Sequence, residues 1–403
     1  MSETTAAPEG VLVIWRETPR PAKALLIGIL VNKLAGFIQI FLVLFLTHQG
    51  FSTSQAGFAL GVYGAGAVAG TFLGGALSDR LTPRAVTVLS LAGSSVLIVS
   101  VLYVTAYAVL LPVVFLVSTV GQLYRPAAQV LITELTPPNR LVMVTAMYRL
   151  SLNLGTTATP LLGTALVSVS YDLLFWGEAL ASLAYGAIAL IALPRSNKQT
   201  SSVQSDAPAQ PKGRYLAVFA DWRYTFFLAA VLMMSIVYIQ YTVTLPLAIV
   251  NAQLSMWWYG AVVSLNGVIV VTCELLATKF VQRWPLRLTA FSAFFFVAVG
   301  YGIYGIGMLP PVLVIGTLVW TLSEITGGPT VFAYPGLIAP EHLRGRYFGA
   351  FQSVFGIGQA LGPIVGVALW NVTGQWAWGW FAVIAVLATV AAQIGIRRPA
   401  DNG

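Results

Sequence analysis

Seven ionisable side chains stand inside otherwise apolar runs of this sequence: Lys33, Arg125, Glu134, Arg149, Glu178, Glu274 and Glu324. A charge at such depth costs about 2.5–3.5 kcal/mol on insertion scales, so it must face a partner or a wet cavity. A buried carboxylate beside a mobile cation gains and loses a proton as that cation withdraws and returns. Glu324 and Glu274 lie well inside their runs and are the two candidates for this work, Glu324 leading. Lys33 and Arg149 suit an anionic or carboxylate-bearing substrate, whereas Glu134 and Glu178, nearer the ends, suit structural or interfacial roles. A static ion pair between helices is the competing reading of the whole set.

Amides and phenols accompany these charges. Asn32 and Gln39 are seven residues apart, on one face of a helix, and Tyr238 and Tyr241 are three apart. With Asn153, Asn266, Gln352 and Gln359 they fit a substrate cavity with an apolar wall and a few fixed polar groups. Other chemistries lack their residues. His48 and His342 fall in loops, and Cys273 is the single cysteine, which leaves neither a disulfide framework nor a metal cluster. No Gly-rich phosphate loop ending in Gly-Lys-Ser/Thr occurs, so ATP is not the evident energy source. Neither an enzyme nor a cofactor nor a bound metal is expected.

The elements that must position these residues follow from composition. Hydrophobic residues make up 58% of the 403 positions and charged ones only 8%, where a soluble domain carries about 25%. The solvent for this surface is a lipid bilayer. Apolar runs long enough to cross it, about 20 residues each, fall near 24–47, 54–78, 85–105, 108–133, 141–168 and 173–193, then 224–250, 257–280, 287–307, 311–338, 347–371 and 377–396. These are spans 1 to 12. The expected organisation is a tail at 1–23, a six-helix bundle at 24–193, a polar linker at 194–223, a second bundle at 224–396 and a tail at 397–403.

The +8 net charge is explained by position rather than by nucleic acid. Arg16, Arg20 and Lys23, Arg80 and Arg84, Arg140, the linker cations, Lys279, Arg283 and Arg287, Arg344 and Arg346, and Arg397 and Arg398 all fall on one side of the bilayer. By the positive-inside rule that side is the cytoplasm, and both termini lie there. Trp257, Trp258, Trp376, Trp378 and Trp380 fall on the other side, where an interfacial belt is expected.

The two halves also repeat each other. Pro126 and Pro329, Pro137 and Pro340, Gly155 and Gly358, Pro160 and Pro363, Gly163 and Gly366, Arg80 and Arg283, and Arg84 and Arg287 are each 203 residues apart. In that register the position of Glu324 falls one helical turn from Arg125, so the two charges are expected on opposite walls of one central cavity.

The segment Gly74-Gly75-Ala76-Leu77-Ser78-Asp79-Arg80-Leu81-Thr82-Pro83-Arg84 resembles motif A of the major facilitator superfamily. The segment Gly155-Thr156-Thr157-Ala158-Thr159-Pro160-Leu161-Leu162-Gly163 is similar to motif C of its exporters, with Thr159 where glycine is usual, and Arg125 stands like the buried arginine of motif B. The resemblance runs over nearly the whole chain and is greatest to the twelve-helix drug:proton antiporters. It implies an all-α membrane protein with the major facilitator fold, two pseudo-symmetric six-helix bundles of twelve transmembrane helices, in a bacterial-type inner membrane. It implies alternating access, with small, partly hydrophobic compounds exported against protons by a monomer; a proton-coupled nutrient or organic-solute symporter is the alternative. Gly75, Asp79, Arg80, Arg84, Gly155, Pro160 and Gly163 then take gating roles. Asp79 is expected to accept from free N–H groups at the start of span 11, and Arg80 or Arg84 to pair with Glu134.

Overall fold

A computed structural model describes residues 11–194 and 215–397, and all regular elements among them are helical. The first ten residues, linker residues 195–214 and the tail beyond 397 lie outside the described residues. A short helix α1 (Val11–Glu17) precedes span 1, which is two helices, α2 (Arg20–Leu34) and α3 (Phe37–His48). Then follow α4 (Thr53–Arg80), α5 (Pro83–Ser100), α6 (Tyr107–Gln122) with α7 (Tyr124–Leu135), α8 (Leu141–Val167) and α9 (Asp172–Ala192). The second half comprises α10 (Tyr215–Ala220), α11 (Trp222–Tyr238) with α12 (Gln240–Asn251), α13 (Trp257–Val281), α14 (Leu286–Ile306), α15 (Pro310–Ile338), α16 (Arg344–Thr373) and α17 (Ala377–Gly395).

Among the described residues, ten stretches are long and apolar enough to cross a membrane. One of them, Glu341–Gly395, contains both α16 and α17. Helix α8 is less apolar, carrying Arg149, Asn153 and a run of threonines, yet its 27 residues reach about 40 Å. Lipid-facing side chains explain the composition: Leu161, Val96, Val268 and Ile306 are exposed among many other large apolar residues. Among the described residues the core divides into four apolar clusters, two centred in each half, one of which takes in Ala333 across the interface.

Spans 1, 4 and 7 are interrupted, although each was expected as one helix. In span 4 the cause is Pro126, whose ring and missing N–H cannot coexist with the carbonyl of Gln122. In span 7 the Gln240 side chain donates to Ile236 O at 2.7 Å and to Gly362 O at 2.8 Å, and so competes with the backbone at the break. In span 1 the break at Ala35–Gly36 is held by neighbours. Glu178 Oε2 accepts from Ile38 N at 2.7 Å, and the Thr159 hydroxyl donates to Lys33 O at 2.7 Å. Glu178 thus caps the start of α3, where the helix dipole favours an anion.

The last residues of the expected linker are not free chain. Helix α10 lies against α16 and buries Val218, and Tyr215 stacks on Phe72 of α4 with ring centroids 3.7 Å apart. Of the five tryptophans expected in the interfacial belt, Trp257, Trp376 and Trp380 are exposed, but Trp378 is fully buried against Tyr301, Tyr304 and Phe381.

Candidate transport site between the two halves

A cavity of about 1150 Å³ separates the halves, lined by α2 to α4, α6 to α8, α11, α12 and α14 to α16. It reaches Gly57 and Gly61 near the tryptophan-rich end, where an added Cβ on either would meet nothing within 4 Å. Towards the arginine-rich end the halves close on each other along two seams. The cavity is therefore open at one end and floored at the other.

The first seam joins α4 to α16. Gly75 lies so close that a Cβ there would sit 2.5 Å from Gly345 O and 2.8 Å from Gly349 Cα, and a Cβ on Gly349 would meet Gly75 Cα at 2.9 Å. Asp79 closes this seam from its end. Its Oδ1 accepts from Gly345 N at 2.7 Å, its Oδ2 from Arg346 N at 3.1 Å, and Arg346 Nη1 pairs with Oδ2 at 2.6 Å. The carboxylate occupies the start of α16, where unsatisfied amides and the dipole favour it, as the sequence led us to expect. Tyr215 of α10 plugs the same crossing, its hydroxyl donating to Phe72 O. Burial pushes this phenol well above its usual range, and the Asp79 charge adds to the shift, so it stays a donor. Further in, Thr71 and Ser353 share a hydrogen bond of 2.9 Å, and Gln352 Nε2 donates to Gln129 Oε1 at 3.0 Å.

The second seam joins α8 to α13 and α15, and charge replaces backbone contact. Arg149 Nε pairs with Glu274 Oε1 at 2.5 Å, and Arg149 Nη2 lies 3.9 Å from Glu324 Oε2. The guanidinium also rests over the Phe332 ring, 4.9 Å from its centroid, and passes Gly328, where a Cβ would meet Arg149 Cζ at 2.7 Å. Glu274 has no exposed surface, and its Oε2 has no hydrogen-bond partner. Glu324 borders the cavity and accepts from Asn266 Nδ2 at 2.8 Å.

Arg125 and Glu324 border the one cavity from opposite halves, as expected, but the arginine that reaches Glu324 is Arg149; Lys33 lines the first half's wall beside Arg125. The single sequence gave no facing for either arginine, because a helix apolar on all sides has no polar face to orient it. Gln39, Asn153, Tyr238, Tyr241, Gln352 and Gln359 line the cavity as well, with Tyr241 stacked on Trp320 at 5.5 Å. Asn32 does not: it links Ser182 and the Tyr124 hydroxyl inside the first half. Asn266 serves the cavity at one remove, by holding Glu324.

The gating residues also sort themselves. Gly155 packs on Lys33 and Gly163 on Phe41, so the stripe in α8 supports the broken span 1; Pro160 leaves α8 unbroken. Arg84 donates to Ala189 O and Leu190 O at the end of α9, rather than turning to Glu134. Its repeat partner Arg287 does the same for Ile396 O at the end of α17. Both are helix C-terminus caps. Sequence reasoning missed Gly345, Gly349 and Gly328. The first two are spaced as Gly-x-x-x-Gly, the pattern of close helix contact, and were legible on that ground.

Residues 25–363 match the sequence model of the Major Facilitator Superfamily. The MFS-type transporter YqjV of Bacillus subtilis is 23% identical over 362 residues, 87% of each chain. A Na(+), Li(+), K(+)/H(+) antiporter of Planococcus maritimus is 22% identical over 295 residues, 66% of this chain and 67% of that one. Among solved structures, the proton:xylose symporter XylE superposes with a TM-score of 0.73 at 16% identity, covering 92% of this chain and 94% of that one. The human organic anion transporter MFSD10 gives 0.71 at 16% identity, over 93% and 99%. At these identities the superpositions establish the fold.

Proposed function

The chain belongs to the major facilitator superfamily, a family of membrane transporters, and on that premise we propose that it exports small, partly hydrophobic compounds in exchange for protons. The observation that carries this reading is the position of Glu324, a carboxylate that borders the cavity and shares Arg149 with a fully buried second carboxylate across the interface of the halves. When Glu324 takes a proton, its attraction for Arg149 falls and Glu274 keeps the arginine alone. The second seam then rests on one ion pair instead of a triad. Substrate in the cavity acts on the same arginine and tyrosines, so proton and substrate are read by one network.

The gate is the first seam. With Asp79 on the start of α16 and Gly75 against Gly345 and Gly349, the arginine-rich end is closed and the cavity faces the opposite side. We orient the arginine-rich end to the cytoplasm on the positive-inside rule, with the exposed Trp257, Trp376 and Trp380 at the outer interface in support. Both termini are then cytoplasmic, the closed state is outward-open, and rocking of the halves presents the cavity to each side in turn. One chain encloses the whole cavity, which supports a monomer as the working unit. The antiporter among the relatives supports exchange with protons.

Everted membrane vesicles under an imposed pH gradient test this directly. Compounds should move against the proton flow in the wild type, and Glu324→Gln should fold normally yet lose pH-driven movement while retaining downhill exchange. Undiminished proton-coupled transport in Glu324→Gln would sink the assignment, and movement of substrate together with protons would establish symport instead.

A further inference from the structure

We propose that the cavity wall of the first half is a subsite for organic anions, formed by Lys33 and Arg125, so that the preferred cargo carries a carboxylate or similar group on an apolar body. The proposal rests on the transport reading above and deepens it. Its ground is the different fate of the three cavity cations. Arg149 is consumed by Glu274 and Glu324. Lys33 and Arg125 both line the cavity, near enough that their like charges act on each other. The carboxylate that acts on Lys33 from the same half is Glu178, and one of its oxygens already accepts the Ile38 amide at the start of α3. Lys33 thus has a carboxylate that is already engaged, and Arg125 makes no ion pair with a carboxylate among the described residues.

Both sit where a span is interrupted, Lys33 at the end of α2 and Arg125 in the first turn of α7. Breaks of this kind bring backbone and charge to mid-membrane depth. Arg125 Nε and the Gln122 Oε1 one turn before it are buried and have no hydrogen-bond partner, and both residues border the cavity. An unsatisfied guanidinium N–H is a costly feature, and a carboxylate is its best-matched acceptor. Across the cavity, Tyr238, Tyr241, Phe332 and Phe355 offer an aromatic wall for the rest of the molecule. The cavity carboxylate Glu324 already has Asn266 and Arg149 beside it, so a cation there competes with a resident arginine. Size agrees, since sites for drug-sized ligands run to about 1,000 Å³.

The test uses the purified full-length protein and binding titrations with hexanoate, benzoate and naphthoate, each against its methyl ester and the ammonium compound of equal size. At least one carboxylate should bind saturably, about tenfold or more tighter than both its ester and its ammonium counterpart. Arg125→Gln and Lys33→Gln should each weaken that binding about tenfold, whereas Lys33→Arg should keep it within a few-fold. Preference for the ammonium compounds, no saturable binding of any carboxylate, or full affinity in both glutamine variants would overturn the subsite. If Arg125→Gln fails to fold, the lysine pair alone decides. Proteoliposome flux separates this from the broader reading: Arg125-dependent binding without movement across the bilayer keeps the subsite and sinks the transporter, and pH-driven movement of ammonium compounds alone does the reverse.

Discussion

The two seams that close the arginine-rich end occupy equivalent places in a repeated architecture, and they are built from opposite materials. On the α4–α16 side, Gly75, Gly345 and Gly349 let two backbones touch, and one carboxylate, Asp79, caps the helix it meets. At the residues 203 positions away, the α8–α13 side has Thr278, Val142 and Ala146 in place of those glycines and Gln282 in place of Asp79. Those helices stand further apart, and buried charge fills the space: Glu274 stands where the other seam has Thr71, and Arg149 where it has Gln352. Packed backbone resists opening over a short distance, whereas a charge network responds to protonation. One seam suits a latch and the other a sensor, and duplication followed by divergence lets a symmetric fold hold both.

Breaking the sensor should have the largest effect. Arg149→Leu leaves Glu274 buried without a counter-charge and should destabilise the protein by about 3–5 kcal/mol in detergent unfolding titrations. The double change Arg149→Leu with Glu274→Leu should recover most of that loss, because a buried pair replaced by apolar side chains is close to neutral. A double variant as unstable as the single one would show that Arg149 acts through its cavity contacts and not through the pair.

The latch should give a smaller response of a different kind. Gly349→Leu forces the α4–α16 crossing apart, an overpacking penalty of about 1–3 kcal/mol measured in the same titrations. The matching change Ala146→Leu, at a buried position that already accommodates a Cβ, should cost less. Equal penalties would erase the distinction between the two materials.

Much of this fold was legible. Apolar runs and loop arginines marked the spans, because a bilayer demands long stretches and sorts positive charge to one side. The 203-residue repeat carried the pairing of Arg84 with Arg287, which the structure resolves as twin helix caps. The breaks in spans 1 and 7 were not legible, since Glu178, Thr159 and the Gln240 amide stabilise them from far along the chain or from within an apolar run. The site was half legible: the charged residues were evident, but which of Arg125 and Arg149 meets Glu324 depends on helix rotation, and lipid-facing helices carry no polar stripe to report it. The contact of Tyr215 with Phe72 was hidden by the polar sequence around it.

The smallest prediction concerns what the repeat kept alike. Arg84→Gln and Arg287→Gln each remove a cap from the carbonyl end of a half's last helix, and each should cost about 0.3–1 kcal/mol, equal within error. A loss of transport confined to Arg84→Gln would instead assign that arginine to the gate.

The central claim is that the halves rock against each other, with the Asp79 latch holding the arginine-rich end shut. Spin labels at positions 81 and 342, flanking the latch, and at positions 54 and 372, across the open end, report both ends at once in a Cys273→Ser background. Pulsed-resonance distances should show a short inner and a long outer separation in the resting protein. Asp79→Asn should shift part of the population to a longer inner and a shorter outer separation. An inner distance unmoved by Asp79→Asn, or two distances that lengthen together, would contradict the account.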